Sequence, residues 1–184
     1  MPITAKHVLD TLDAYLSRYP EDKNTLSVLA EVLDEAGDSI ASRKEFRGHV
    51  TAGAVLLRPD GRVLTIEHKA LAKWLLPGGH VEPDDMTLLD AARRELAEET
   101  GIDASQVEPD DEVPLHVEAH PIPANDAKGE PAHQHFDFRF LFRTTAEEVD
   151  LQEEEVTAFS WQFADMLTAE PLRGRALASI RPSD

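Results

Sequence analysis

Phe136, Phe138, Phe140 and Phe142 recur at every second position of the stretch HFDFRFLFR. Side chains with a period of two share one face of a β-strand. An all-phenylalanine face must be buried, so the chain needs a sheet with something packed against it. His133, His135, Asp137 and Arg139 share the opposite face, and upstream HVEAH alternates likewise, with His116, Glu118 and His120 on one side. This polar face has two main readings. It is the wet side of a half-buried sheet, or it lines a substrate cleft in which His135 and Arg139 supply positive charge for phosphates. A histidine–carboxylate metal site is a third reading, resting on spacing alone.

Strands recur elsewhere. HVTAGAVLL, RPDG and RVLTIEH form a predicted hairpin turning at Asp60-Gly61. KWLLPGGHVEP is a short strand running into a loop, PLHVEAH is a further strand, and VTAFSW leads to a C-terminal helix from about Leu172. Trp74 and Trp161, at strand ends, are expected in the core rather than stacked on a base. Ahead of the strands lie two short helices. Val8, Leu12 and Leu16 make the first stripe and Pro20 stops it; Asn24 is the expected cap of the second, whose Leu26, Leu29 and Leu33 precede Gly37. These helices, over residues 1–47, are read as an extension that covers the core or offers a dimer surface.

The 184 residues suffice for a core, and the absence of cysteine removes disulfides, thiolate metal sites and a thiol nucleophile. Apolar runs are too short to span a bilayer, and the N-terminus lacks the pattern of a secretion signal, so a cytoplasmic protein is expected. A net charge of −18 disfavours nucleic acid and anionic membrane as partners.

One acidic cluster stands apart from the scattered surface acids. In LPGGHVEPDDMTLLDAARRELAEETGI, residues 76–102, a helix over 87–100 ends at Gly101. Glu95, Glu98 and Glu99 fall at i, i+3 and i+4 and share one patch beside the stripe of Leu88, Leu89, Ala92 and Leu96. Glu99 lies inside the stripe's edge, Glu95 just beyond it and Glu98 further out. Three bare carboxylates there would be destabilising, and a hard divalent cation such as Mg²⁺ answers them. The competing reading is an ordinary acidic, solvated helix face answered by Arg93 and Arg94.

This stretch resembles the Nudix box, G-x5-E-x7-R-E-U-x-E-E-x-G-U. RELAEETGI, Arg94 to Ile102, matches its second half at every fixed position. The first half departs: Asp85 stands where the first glutamate belongs, with eight residues before Arg94 and one insertion near Met86. The resemblance implies an α/β/α sandwich with a mixed sheet over residues 48–184, with the box at 79–102. It also implies hydrolysis of a nucleoside diphosphate linked to another moiety, with Mg²⁺ or Mn²⁺ and an attacking water. By matching position, Glu95, Glu98 and Glu99 hold the ions with the carbonyl of Gly79, and Arg94 braces loop and carboxylates. The general base is Glu95, or an acid of the loop before the late tryptophan-bearing strand, Glu154 or Glu155. His80 and Glu82 border the site, and on the cleft reading of their strand His135, Asp137 and Arg139 face the substrate as well. A regulatory module that binds a nucleotide without cleaving it is the alternative, although such modules usually lose box glutamates. RNA-end processing lacks a basic strip, and an allylic diphosphate isomerase lacks its cysteine. The substrate stays open, and homodimers are common in the family.

Overall fold

The computed structural model describes residues 2–69, 72–146, 149, 151 and 156–180. Helices α1 (Ala5–Arg18) and α2 (Ser27–Ala36) open the chain. Thr4 caps α1 through its side chain, which accepts from the His7 N–H at 3.2 Å. Tyr15, rather than Leu16, completes the buried stripe with Val8 and Leu12, and its hydroxyl donates to Asp22. Asn24 does not cap α2. The helix starts three residues later, at Ser27, and Asn24 contributes its carbonyl to the Ser27 hydroxyl at 3.1 Å, so a turn of 3₁₀ helix from Pro20 takes up the intervening chain.

Strands β1 (His49–Leu57) and β2 (Arg62–His68) form the expected antiparallel hairpin. Gly61 makes its turn at φ 81°, and the Arg58 and Gly61 amides close it on Arg62 and Arg58 carbonyls at 2.9 and 3.0 Å. β3 (Lys73–Leu75) and β4 (Gly78–His80) lead to α3 (Leu88–Thr100), whose end is closed by Gly101 donating to the Ala97 carbonyl at 2.9 Å. β5 (Val107–Pro109), β6 (His116–Ile122), β7 (His133–Thr144), β8 (Val156–Phe163) and α4 (Leu172–Ala178) complete the chain. Among the described residues eight strands join one sheet in the order β3-β2-β1-β7-β5, with β4 on β1, β6 on β7 and β8 on β2. The short β5, unforeseen in the sequence, pairs Val107 with Thr144.

Contacts divide the chain into two compact units. The first comprises residues 1–52, 79–91 and 117–138. Its buried side chains include Val8, Leu12, Tyr15, Leu29, Leu33, Phe136 and Phe138. Within it, the His7 Nε2 accepts the Leu88 N–H at 3.1 Å, satisfying a donor at the start of α3 that no helical carbonyl can reach. Burial, the largest effect, lowers the His7 pKa against the opposing pull of Asp10 and Asp90. Only the neutral ring can accept this bond. His7→Ala should therefore cost about 1 kcal/mol in urea denaturation near pH 7.5. The folded pKa lies below the unfolded value of about 6.5, so this stability is present above that pH. It is lost as pH falls through the folded value, and the gap between wild type and variant should shrink as pH drops below the unfolded value. A gap that stays constant would refute the assignment.

The second unit comprises residues 53–78, 92–116 and 139–184. Val55, Leu57, Val63, Leu115, Leu141, Ala164, Leu172 and Ala176 pack as one apolar cluster there. Along β7 the phenylalanines are buried, as the alternation requires, but the opposite face is not wet: His133, Asp137 and Leu141 are buried too. Trp74 departs from expectation in the other direction. It lies 46 % exposed on the edge strand β3, while Trp161 is half-buried under the Arg58 guanidinium, 5.1 Å from its ring centroid. An edge strand leaves one flank without cover, which the sequence pattern of KWL does not reveal. No described helix is long and apolar enough to cross a membrane.

Candidate active site

In the second unit, α3 presents its three glutamates with graded burial. Glu99 is 6 % exposed, whereas the Glu95 and Glu98 side chains are 15 % and 53 % exposed, the order that helical spacing predicts. Leu89 is only half-buried, and Ala91 takes a place in the core instead. Arg94 spans two of the acids, its Nη1 donating to Glu95 Oε1 at 3.0 Å and to Glu98 Oε2 at 2.8 Å. Glu99 Oε2 accepts the Gly78 N–H at 2.8 Å. A metal ion is therefore not the only answer to the crowded charge: a guanidinium and a backbone amide already offset part of it. The Gly78 turn is held in turn by β1, where Ala54 donates to the Pro77 carbonyl at 2.8 Å. Gly53 makes that approach feasible, since a Cβ there would sit 3.0 Å from the Pro77 oxygen. The same point lies 3.7 Å from an Arg139 Nη1, which places the Arg139 guanidinium beside Gly53.

In the first unit, the loop ahead of α3 is braced by Asp85, which is 6 % exposed and accepts the Glu82 N–H at 2.7 Å. The shorter acid at the first-glutamate position thus has a clear local task, tying its own loop. The Glu82 side chain is exposed. Asp137 is buried and accepts from the Thr51 hydroxyl at 3.1 Å. His135 and His80 are half-buried, and burial, reinforced by neighbouring imidazoles, pushes them down to about 3 and about 4. His135 is therefore neutral at physiological pH, and the positive charge expected of it is absent. Five histidine rings gather here: His49 has its centroid 5.2 Å from His80, 5.0 Å from His133 and 4.6 Å from His135, and His120 lies 5.6 Å from His135. The H-x-H of β7 is legible in the sequence, but the partnership of His49 with His133 is not, because it is a meeting of residues on remote strands. Glu154 and Glu155 lie outside the described residues.

A model of the NUDIX domain matches residues 47–180. The chain belongs to the Nudix family. It is 32 % identical over 133 residues to a probable DHNTP pyrophosphohydrolase of Lactococcus lactis, covering 72 % of this chain and 76 % of that one. It is 46 % identical over 61 residues to the phosphatase NudJ of Escherichia coli K12, a match spanning 32 % of this chain and 39 % of NudJ. Among solved structures, the E. coli dihydroneopterin triphosphate pyrophosphohydrolase superposes with a TM-score of 0.56 at 20 % identity, over 71 % of this chain and 94 % of that one. The fold is thus the Nudix α/β fold, a mixed sheet flanked by helices. This Nudix protein is an enzyme that acts on pyrophosphate bonds.

The Nudix-box residues fit a hard divalent cation by their donor chemistry. Three carboxylates share one helical turn, Glu99 is oriented by an amide, and Mg²⁺ keeps several waters, so a loosely drawn oxygen set suffices. Among the described residues, the group of three side chains with ligand atoms already within 4.8 Å of one another is a different one, His49, His133 and His135.

Proposed function

We propose that this Nudix hydrolase cleaves the diphosphate linkage of a small nucleoside diphosphate derivative with Mg²⁺ or Mn²⁺. Glu95, Glu98 and Glu99 hold the metal, with the Gly79 carbonyl as a further ligand. The observation that carries this reading is the paired anchoring of the acids, Arg94 across Glu95 and Glu98 and the Gly78 amide on Glu99. Such anchoring keeps the carboxylates aimed, at a place where repulsion would otherwise scatter them. Bound at these carboxylates, the metal supplies charge neutralisation for the diphosphate and lowers the pKa of an attacking water.

The remaining roles follow from charge and position. Arg139 is the cation for a phosphate oxygen, since its guanidinium sits beside Gly53 of β1. His80 and His135 offer neutral imidazoles for hydrogen bonds to substrate, and Glu82 and Asp137 offer acceptors for its hydroxyls or base. Glu95, or else Glu154 or Glu155 of the segment before β8, takes the proton of the attacking water. Residues 1–47 serve as a helical extension of a catalytic domain over 48–184, in a cytoplasmic protein able to form a homodimer. A net charge of −18 favours small, metal-complexed substrates over nucleic acid.

A phosphate-release assay with Mg²⁺ tests this across sugar nucleotides, ADP-ribose, dinucleotide polyphosphates, dinucleotide cofactors and oxidised nucleoside triphosphates. DHNTP joins the panel because the Lactococcus relative bears that name. Turnover on at least one compound, abolished by chelator and restored by Mg²⁺ or Mn²⁺, is the expected result. Binding without turnover on every compound would favour the regulatory alternative.

A further inference from the structure

We propose a second metal site, distinct from the carboxylates: a three-imidazole centre for a divalent ion of the zinc class, formed by His49, His133 and His135 at the starts of β1 and β7. Three observations within the first unit carry it. One ligand nitrogen from each ring falls within 4.8 Å of the other two. His133 Nε2 and His135 Nε2 stand 3.3 Å apart. Two nitrogens bound tetrahedrally to one zinc, at about 2.0–2.1 Å each, are separated by about 3.3–3.4 Å. The spacing is thus that of a chelating pair.

The orientation of the rings is the second observation. His49 Nδ1 faces the Glu45 carbonyl at 3.1 Å, and His133 Nδ1 faces the Pro131 carbonyl at 2.8 Å. A carbonyl can only accept, so each Nδ1 carries the hydrogen and each Nε2 is left with a lone pair. Carbonyl-anchored imidazoles of this kind are how proteins aim histidine ligands. Third, His49 is 1 % exposed and its Nε2 has no hydrogen-bond partner. A buried lone pair left without a donor costs stability, and a metal ion at this point would use it.

The donor set selects the ion. Three neutral imidazoles suit zinc and its transition-metal neighbours, whereas Mg²⁺ prefers oxygen. With three protein ligands a fourth position stays open to water or an anion. His80, 5.2 Å from both His49 and His135 by ring centroids, closes the cluster on the side of the box loop.

The test uses the full chain, stripped with chelator and titrated with Zn²⁺ by calorimetry and with Co²⁺ by visible absorption. One equivalent should bind, with the intense bands of low-coordinate cobalt and a raised melting temperature that Mg²⁺ does not reproduce. His49→Ala and His135→Ala should each weaken binding by about 100-fold or more. Glu98→Gln and Glu99→Gln should leave it unchanged, which separates this centre from the carboxylate site. Should a histidine variant fail to fold, X-ray absorption of the zinc-loaded wild type decides alone, through a shell of three imidazoles. No zinc uptake by the wild type, an oxygen-only shell, or uptake lost with the glutamate variants would overturn the proposal.

Discussion

Glu99→Gln should lower kcat/KM by roughly 100-fold or more on whichever substrate the panel identifies, and Glu98→Gln should do the same. The two positions differ in a way that makes the pair informative. Glu99 is nearly buried, and its Oε2 takes the Gly78 amide. The glutamine carbonyl can accept that same hydrogen bond, so the turn stays in place while the negative charge is gone. Glu98 is half exposed and paired with Arg94, so its replacement costs little stability, as surface ion pairs generally do. In both variants the melting temperature should stay within a few degrees of wild type, and the Mg²⁺ concentration needed for half-activation should rise. A loss of turnover without a loss of fold isolates the charge as the cause. Near-normal turnover in both variants would remove the carboxylates from the metal site.

Phe138→Ala should destabilise the protein by about 3–5 kcal/mol in urea denaturation. Phe138 is wholly buried on β7, with Phe136 and Phe140 beside it on the same face. Removing the ring forfeits its transfer free energy and leaves a cavity that the neighbouring rings can only partly fill. Total stability for a chain of this size is about 5–15 kcal/mol, so the loss is a large share of it. Phe159, 37 % exposed on β8, is the comparison, and its alanine variant should cost about 1 kcal/mol or less. Equal effects at the two positions would mean that burial on β7 is not what holds this layer together.

Much of the fold was legible because it is written in short-range spacing. The phenylalanine alternation, the Asp60-Gly61 turn, the box helix and its termination at Gly101 each depend on residues within a few positions of one another. The burial order of the three glutamates followed from 100° per residue in the same way. Where the reading failed, a remote neighbour was the cause. Leu16 gave way to Tyr15 and Leu89 to Ala91, because which edge of a stripe is buried depends on what packs against it. Trp74 was expected inside and lies on an edge strand, because strand order is not a property of the strand.

Chemistry divides along the same line. The metal binding proposed for Glu95, Glu98 and Glu99 draws on the spacing of one helical turn, which is legible without any partner. The bracing of Glu99 by Gly78, the placement of Arg139 beside Gly53 and the meeting of His49 with His133 and His135 appeared only in three dimensions. Helical and strand periodicities are local geometry, fixed by bond angles and hydrogen-bond pitch. Which strands pair is decided by how all the apolar faces are buried at once, and a side chain's chemical company depends on that outcome.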